Sequence, residues 1–379
     1  MASNYIHDDV AFSILSKLPI KSLKRFRCVH KSWSLLFEDS RFMTKYRNNF
    51  LSNTPSYDGD TSLLMNIRCY ELYSLSGDRF ENKVKLNWPN PFSEGNSRFN
   101  ICCFGSANGI LCLSYNNYGG RRIVLWNPTT EKFKVIPPKF GVSVTLYGFG
   151  YDNVADDYKV IRQVKLPTIF HRLNKDILFD KDSFFLHCWE IYSLRSNLWK
   201  KLDFNMPNCN TDIVSSLNGH LQVYMNGMCH RVCEYYKGRE PFVGNLVSFD
   251  LNKETVSVTS IPSHVTLDWT QLTALNGSIA LVSSTKKATL FHISILGEIG
   301  VKESWIKLFI VEQPCVGFPI GVGMKGEIFI QNIDDEIVWF DLTTKMIKEL
   351  GLKGKRMEFL SGYPIANVTI IIKNLACTF

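Results

Sequence analysis

Residues 126–133 read WNPTTEKF, and the same pattern returns as FDLNKETV at 249–256 and as FDLTTKMI at 340–347. A weaker copy, YSLRSNLW, occupies residues 192–199. In each copy an aromatic residue ends a β-type run, a polar turn follows, and a second β-type run begins. The chain therefore repeats a strand-turn-strand unit, which predicts a fold assembled from copies of one small sheet.

A second turn pattern stands directly before several β-type runs: Asn108-Gly109, Asn218-Gly219, Asn276-Gly277 and Lys325-Gly326. Asn and Gly tolerate the positive φ angles that a tight hairpin turn needs. Neighbouring units lie roughly 45 to 65 residues apart, the range of four-stranded propeller blades with variable loops. We therefore predict a mainly β chain in which residues 62–379 form a β-propeller of about six blades.

The predicted blades cover residues 62–100, 101–140, 145–207, 213–262, 268–314 and 318–352. A last β-type run, VTIII at 368–372, is predicted to complete the first blade. That pairing is favoured because it leaves no open sheet edge.

The first 48 residues have a helical pattern instead. Val10, Ile14 and Leu18 fall on one face of a first helix, and Pro19 ends it. A second apolar stripe then runs from Leu23 through Phe26 and Val29 to Trp33. These helices are too short to be stable alone, so their apolar faces need cover either from a partner or from the following domain. We predict a small all-α module at 1–48, a linker at 49–61 and the propeller beyond it.

The N-terminal stretch resembles the F-box of plant proteins in four short groups of residues, which occur in the same order. The matching residues are Ile14-Leu15, then Leu18-Pro19-Ile20-Lys21-Ser22-Leu23, then Arg25-Phe26-Arg27-Cys28-Val29, and Lys31-Ser32-Trp33. The resemblance implies a module that docks on a Skp-type adaptor, which is tied to a cullin scaffold. The implied adaptor-binding residues are Ile14, Leu15, Leu18, Pro19, Leu23, Phe26, Val29 and Trp33. This chain departs from the family at Ile6-His7, where the second position is usually Pro.

The larger domain resembles the F-box-associated, kelch-like domain of the same plant family. The best-matched stretches are residues 108–112 with 125–130, and 147–152 with 157–160. True kelch repeats carry a Gly-Gly pair in each blade, and here Gly119-Gly120 is the single such pair.

Charge and composition narrow the possible partners. The net charge is +8, and residues 1–50 carry nine Lys/Arg against four Asp/Glu. That distribution argues against nucleic-acid binding by the large domain and favours an acidic protein partner for the small one. No apolar stretch approaches the roughly 20 residues needed to span a bilayer. The 11 cysteines lack the spacing of a secreted disulfide scaffold, so most are expected to be reduced thiols. We expect the protein in the cytoplasm, the nucleus or both, without a membrane partner.

The sequence contains no recognisable residue pattern for catalysis or cofactor binding. Cys229-His230-x-x-Cys233, with His220 upstream, is the nearest metal candidate, but a fourth ligand at convincing spacing is missing. Gly148-Phe149-Gly150 has too few glycines to bind a phosphate. We predict no catalytic residue, no cofactor and no metal.

The favoured hypothesis is a non-catalytic substrate-recognition subunit of an SCF-type (Skp-cullin-F-box) ubiquitin ligase, which binds the adaptor through the F-box and a protein target through the propeller. The alternatives are a propeller enzyme or sugar-binding lectin with a helical cap, and an adaptor-bound regulator that degrades nothing. The sequence does not identify the target-binding residues. The long insertion at 165–181 is the first loop to test as a target contact.

Overall fold

The computed structural model describes the chain apart from residues 1–6, 19, 27, 37–38, 53–60, 68–70, 78, 88–90, 92–99, 118–119, 129, 139–142, 168–184, 204–221, 238–239, 263–264, 266–268, 285–289, 313–316, 324–325, 354–368 and 375–379. Helices occupy the N-terminus, at α1 (Asp8–Leu15), α2 (Ile20–Phe26), α3 (Lys31–Leu35) and α4 (Ser40–Ser52). Helix α4 continues past the predicted module boundary at residue 48. The predicted insertion at 165–181 lies outside the described residues beyond Pro167.

The rest of the described chain is almost entirely strand. The strands are β1 (Thr61–Ile67), β2 (Glu71–Ser76), β3 (Asn82–Leu86), β4 (Asn100–Ala107), β5 (Ile110–Asn117), β6 (Gly120–Trp126), β7 (Phe133–Ile136), β8 (Ser143–Asp152), β9 (Asp157–Pro167), β10 (Phe185–Ser193), β11 (Leu198–Leu202), β12 (Val223–Met225), β13 (Met228–Lys237), β14 (Glu240–Asp250), β15 (Thr255–Ser260), β16 (Trp269–Leu275), β17 (Ser278–Ser284), β18 (Leu290–Leu296), β19 (Trp305–Glu312), β20 (Gly317–Val322), β21 (Ile328–Asn332), β22 (Glu336–Phe340), β23 (Ile347–Lys353) and β24 (Thr369–Asn374).

These strands form six four-stranded sheets, each a candidate propeller blade. Five contain consecutive strands, from β4–β7 to β20–β23, and the sixth has the order β24-β1-β2-β3. The prediction of a mainly β chain with a helical N-terminus and about six blades is confirmed.

The C-terminal strand completes the first blade, as predicted. Strand β24 pairs antiparallel with β1, from Thr61 opposite Asn374 to Asn66 opposite Thr369. Thr61 and Asn374 are 313 residues apart in sequence, so the pairing joins the first and last strands of the sheet-forming part of the chain. Strand β1 thus has a hydrogen-bonded neighbour on each side.

Tight turns with positive φ explain the Asn-Gly repeats. Asn108 and Gly109 have φ angles of 47° and 78°, and Asn276 and Gly277 have 45° and 69°. Positive φ at both central residues is the signature of a type I′ hairpin turn. The corresponding turn of the fourth sheet is Asn226-Gly227, which the sequence reading missed. The predicted pair Asn218-Gly219 lies outside the described residues.

The repeated aromatic-turn pattern has one local structure in all its copies. Asp250 and Asp341 follow the aromatic strand ends, and the Oδ1 atom of each accepts a backbone hydrogen bond, from Lys253 at 2.9 Å and Thr343 at 2.7 Å. The residue five positions after each aromatic adopts positive φ: Glu131 (59°), Asn197 (58°), Glu254 (53°) and Lys345 (59°). The repeat is therefore a repeat of backbone conformation, and it needs no Gly at the positive-φ position.

The chain divides into two compact units. One contains Tyr57–Tyr235, Leu246–Ser257 and Gly354–Phe379, and its sheets pack through apolar clusters. Leu64 and Leu72 of the first sheet share such a cluster with Leu111 and Trp126 of the second. The other unit contains Met1–Ser56, Tyr236–Asn245 and Val258–Lys353, so it joins the four helices to the sheets β16–β19 and β20–β23.

Candidate functional site

The first helix of the N-terminal module is capped by the residue that departs from the family pattern. His7 is the N-cap of α1, and its Nδ1 accepts a hydrogen bond from the backbone N–H of Asp9 at 3.5 Å. Asp8 and Asp9 place negative charge in the first turn, where the helix dipole favours it. His7 thus supplies a side-chain cap at the position where the family usually has Pro.

One face of the module is buried within its own unit. Leu15 and Leu23 are 3% and 2% exposed, and both belong to a cluster that includes residues of β16–β22 such as Phe291 and Leu308. Leu18 and Trp33 are partly buried against the same cluster. The sheets β16–β19 and β20–β23 therefore bury this apolar face of the short helices. Adaptor binding by these four residues stays a prediction, and Pro19 lies outside the described residues.

The other face presents apolar side chains to solvent. Ile14, Phe26 and Val29 are 53%, 37% and 63% exposed, and all three were predicted adaptor-binding residues. Val10 (51%) and Leu35 (55%) are equally accessible but were not predicted to bind the adaptor. We call these five residues the exposed apolar set.

The members of this set come from all three short helices and the turn between α2 and α3. Val10 and Ile14 stand four residues apart, on successive turns of α1. The Phe26 ring packs against Trp33 with centroids 5.9 Å apart, which ties the end of α2 to α3. The spacing from Val10 to Ile14 could have revealed Val10, whereas no pattern in the sequence distinguishes Leu35.

Exposed cations lie in the same stretch of sequence as the exposed apolar set. Lys17, Arg25 and Lys31 are exposed, while the exposed acids among the described residues 7–36 are Asp8 and Asp9 at the start of α1. Arg25 lies 3.8 Å from Glu298, but the two side chains are 67% and 42% exposed, so this ion pair is weak. The surface is suited to a partner with apolar pockets and an acidic rim.

The metal candidate of the sequence does not assemble. Successive strand residues point to opposite faces, so β13 separates His230 from Cys229 and Cys233. His230 Nδ1 lies 2.8 Å from Ser248 Oγ, and Cys233 is disulfide-bonded. His220 lies outside the described residues. Where the structure describes the chain, no group of three or more His, Cys, Asp or Glu could hold a metal ion.

Among the described cysteines, Cys112 and Cys229 are buried free thiols. Burial raises the pKa of both thiols, which disfavours the nucleophilic thiolate. Within the described part of the chain, no helix is both long and apolar enough to cross a membrane.

The fold and the exposed helices define a class of protein: a helical docking module followed by propeller blades. Residues 6–45 match the family model for the F-box domain, and residues 61–369 match that for the F-box associated beta propeller domain. The chain belongs to the family of F-box proteins with an F-box-associated propeller. This combination supports a general role in substrate recognition by SCF-type ubiquitin ligases.

The similar proteins include several from Arabidopsis thaliana. The F-box protein CPR1 is 24% identical, with 91% of this chain and 84% of CPR1 covered. The putative F-box protein At5g62660 is 27% identical, with 81% and 77% covered, and the F-box/kelch-repeat protein At3g23880 is 24% identical, with 78% and 76% covered. These relatives confirm the resemblance to plant F-box proteins, including a kelch-repeat member.

Proposed function

We propose that this chain is the substrate-recognition subunit of a Skp-cullin-F-box ubiquitin ligase. Helices α1–α3 bind the Skp-type adaptor, and through it the cullin, while the propeller captures a protein target. The observation that carries the proposal is the division of the F-box residues, with Leu15 and Leu23 buried and Ile14, Phe26 and Val29 exposed. A module whose inner face is already covered keeps its outer apolar face available for a partner.

Physical considerations favour a protein partner for that face. Contiguous exposed apolar patches mark interaction sites, and the exposed apolar set falls within the 26 residues from Val10 to Leu35. Aromatic residues, Phe included, are enriched in protein interfaces, and Phe26 is an exposed aromatic residue of this set. The surrounding Lys and Arg residues steer encounter with an acidic partner and set its orientation.

The proposed role is non-catalytic. Ubiquitin is transferred by the associated subunits, and this chain contributes binding and orientation. We place it in the cytoplasm, the nucleus or both, where those subunits act. The residues that contact the target are unknown.

The test is target capture with a matched adaptor-blind variant. The full-length protein and its Ile14→Asp variant are expressed as proximity-labelling fusions in plant cells, and captured proteins are compared. A target should be labelled by both forms but should accumulate in cells that express the variant, because that form cannot present it to the ligase. Labelled proteins whose abundance and ubiquitination are the same in both lines contradict degradative recognition and support the non-degradative alternative.

A further inference from the structure

Helix α4 is built into the same core as the sheets beside it. Phe42, Met43, Tyr46 and Phe50 follow a helical spacing, and all four are buried in the cluster shared with β16–β22. The Phe12 ring of α1 meets the Phe42 ring edge-on at 5.2 Å. This apolar contact is large, but hydrophobic burial is non-directional and does not by itself fix an angle.

A directed contact comes from Arg47 on the same helix. In the pairing of β18 with β19, Ser294 is opposite Lys307 and Ile293 is opposite Phe309, so Leu308 forms a β-bulge. The Arg47 Nε–H donates to the Leu308 carbonyl, and its guanidinium lies 5.9 Å from the Phe309 ring centroid. Burial lowers the pKa of Arg47. Strand β19 is an edge strand of its sheet, and the Leu308 carbonyl at this bulge accepts its hydrogen bond from α4.

Another directed contact comes from a turn residue of the sheet. Asn276 Nδ2 donates to the Phe50 carbonyl at 2.7 Å. Phe50 is among the last four residues of α4, whose carbonyls have no partner within the helix. The Asn-Gly turn of this sheet therefore both closes the hairpin and caps α4.

The helix also holds α1 on its other side. Asn49 Nδ2 donates to the Ser16 carbonyl and lies 3.1 Å from Ser16 Oγ, at the C-cap of α1. Helix α4 is therefore hydrogen-bonded on one side to β19 and to the β16–β17 turn. On the other side it is hydrogen-bonded to the C-cap of α1, the helix that carries Val10 and Ile14.

We infer that Arg47 and Asn276 are positioning residues that clamp α4 to the β16–β19 sheet and fix the direction in which the exposed apolar set points. Hydrogen bonds are directional, so two of them, at Arg47 and three residues further at Phe50, restrict the orientation of α4 where apolar packing alone leaves it loose. The consequence for ubiquitin transfer rests on the proposed function: a clamped module holds adaptor and sheet at one fixed geometry.

The clamp is tested by measuring the orientation itself. Nitroxide-bearing residues replace Lys17, after α1, and Lys348, on β23, both exposed and both in the same compact unit. Pulsed electron-electron resonance then gives the distance distribution between them in the full-length protein. We expect one narrow distribution in the unmodified background, and a broadening to about twice that width when Arg47→Ala and Asn276→Gly are combined.

Matched controls separate the clamp from general destabilisation. Arg41→Ala removes an exposed cation from the same helix, and Asn108→Gly changes the equivalent turn of another sheet; both should leave the width unchanged. Gly accepts the positive φ of the turn, so Asn276→Gly removes the donor without straining the backbone. Arg47→Lys keeps a cationic donor and should restore most of the narrow distribution.

An unchanged width in folded protein carrying both clamp substitutions overturns the inference, because apolar packing then suffices. If the double variant does not fold, Asn276→Gly alone is measured. A distance distribution as narrow as that of Asn108→Gly then also overturns the inference. Adaptor binding is measured separately on the unlabelled full-length protein, which keeps Lys17. A narrow distribution without adaptor binding refutes the proposed function and leaves the clamp intact.

Discussion

Ile14 and Leu15 are neighbours on α1 with opposite surroundings, so substituting each by Ala should separate binding from stability. Leu15 is 3% exposed, and a buried Leu→Ala change costs about 3 kcal/mol of unfolding free energy. Ile14 is 53% exposed. Ile14→Ala removes three carbons, whose full burial would contribute about 2.4 kcal/mol. Roughly half of that contribution is absent in the free protein, because about half of the side chain is exposed to solvent. The higher helix propensity of Ala offsets part of the remainder.

The adaptor interface should recover the exposed half of the Ile14 side chain. That fraction amounts to about 1.3 kcal/mol, so Ile14→Ala should weaken the adaptor Kd about tenfold. The assays are urea denaturation of the full-length chain and biolayer interferometry against a purified Skp-type adaptor. Leu15→Ala should lower the urea midpoint and, where the protein is still folded, leave the Kd within about threefold. A Leu15→Ala variant that is as stable as the unmodified protein, or an Ile14→Ala variant with unchanged affinity, would refute the reasoning.

Four other changes test the fold. Deleting residues 357–379 removes β24 and exposes β1, so we expect aggregation and loss of cooperative melting; a truncated protein that melts as before contradicts the strand pairing. A Cβ on Gly150 would lie 2.7 Å from Leu251 and closer still to Tyr224, so Gly150→Ala should cost about 3 kcal/mol. Gly277 has a φ of +69° but no heavy atom within 4 Å of an added Cβ, so Gly277→Ala should cost about 1 kcal/mol of stability. Equal stability losses in the Gly150→Ala and Gly277→Ala variants would contradict the close packing around Gly150. Burial lowers the pKa of His230 from 6.5 to about 4. Between these two pH values the His230 side chain is protonated in the unfolded chain and neutral in the folded chain. His230 therefore contributes about 3 kcal/mol of folding stability, which is fully present above pH 6.5 and is lost as the pH falls towards 4. In the His230→Gln variant, the urea midpoint should depend less on pH between 6.5 and 4. A variant with the same pH dependence as the unmodified protein would exclude His230 as the cause.

The sequence alone revealed the repeated sheets because the turns carry a local signal. Each turn has an aromatic residue, a polar acceptor and a residue at positive φ at fixed offsets. Hydrogen bonds within a few residues set those offsets, such as the one that the Lys253 backbone N–H donates to Asp250 Oδ1. Asn226-Gly227 was missed because Asn218-Gly219 carries the same signal eight residues earlier, and turn chemistry does not tell which pair the strands enclose.

The orientation of the F-box helices could not be predicted in the same way. Leu15 and Leu23 belong to the same helical stripes as exposed residues, and a period of 3.6 shows that a face is apolar without showing what covers it. Arg47 donates to a carbonyl 261 residues away in sequence, which lies at a β-bulge that no residue pattern predicts. Contacts of this kind depend on tertiary packing, so the residue types alone give no signal.

Direct titration of the folded full-length chain with a purified plant Skp-type adaptor tests the central claim. Isothermal calorimetry should give saturable binding of one adaptor per chain, with a micromolar or tighter Kd, about −8 kcal/mol or more favourable. A chain that unfolds cooperatively, and is therefore intact, yet shows no saturable heat with the adaptor in large excess would contradict the assignment of α1–α3 as an adaptor-binding module.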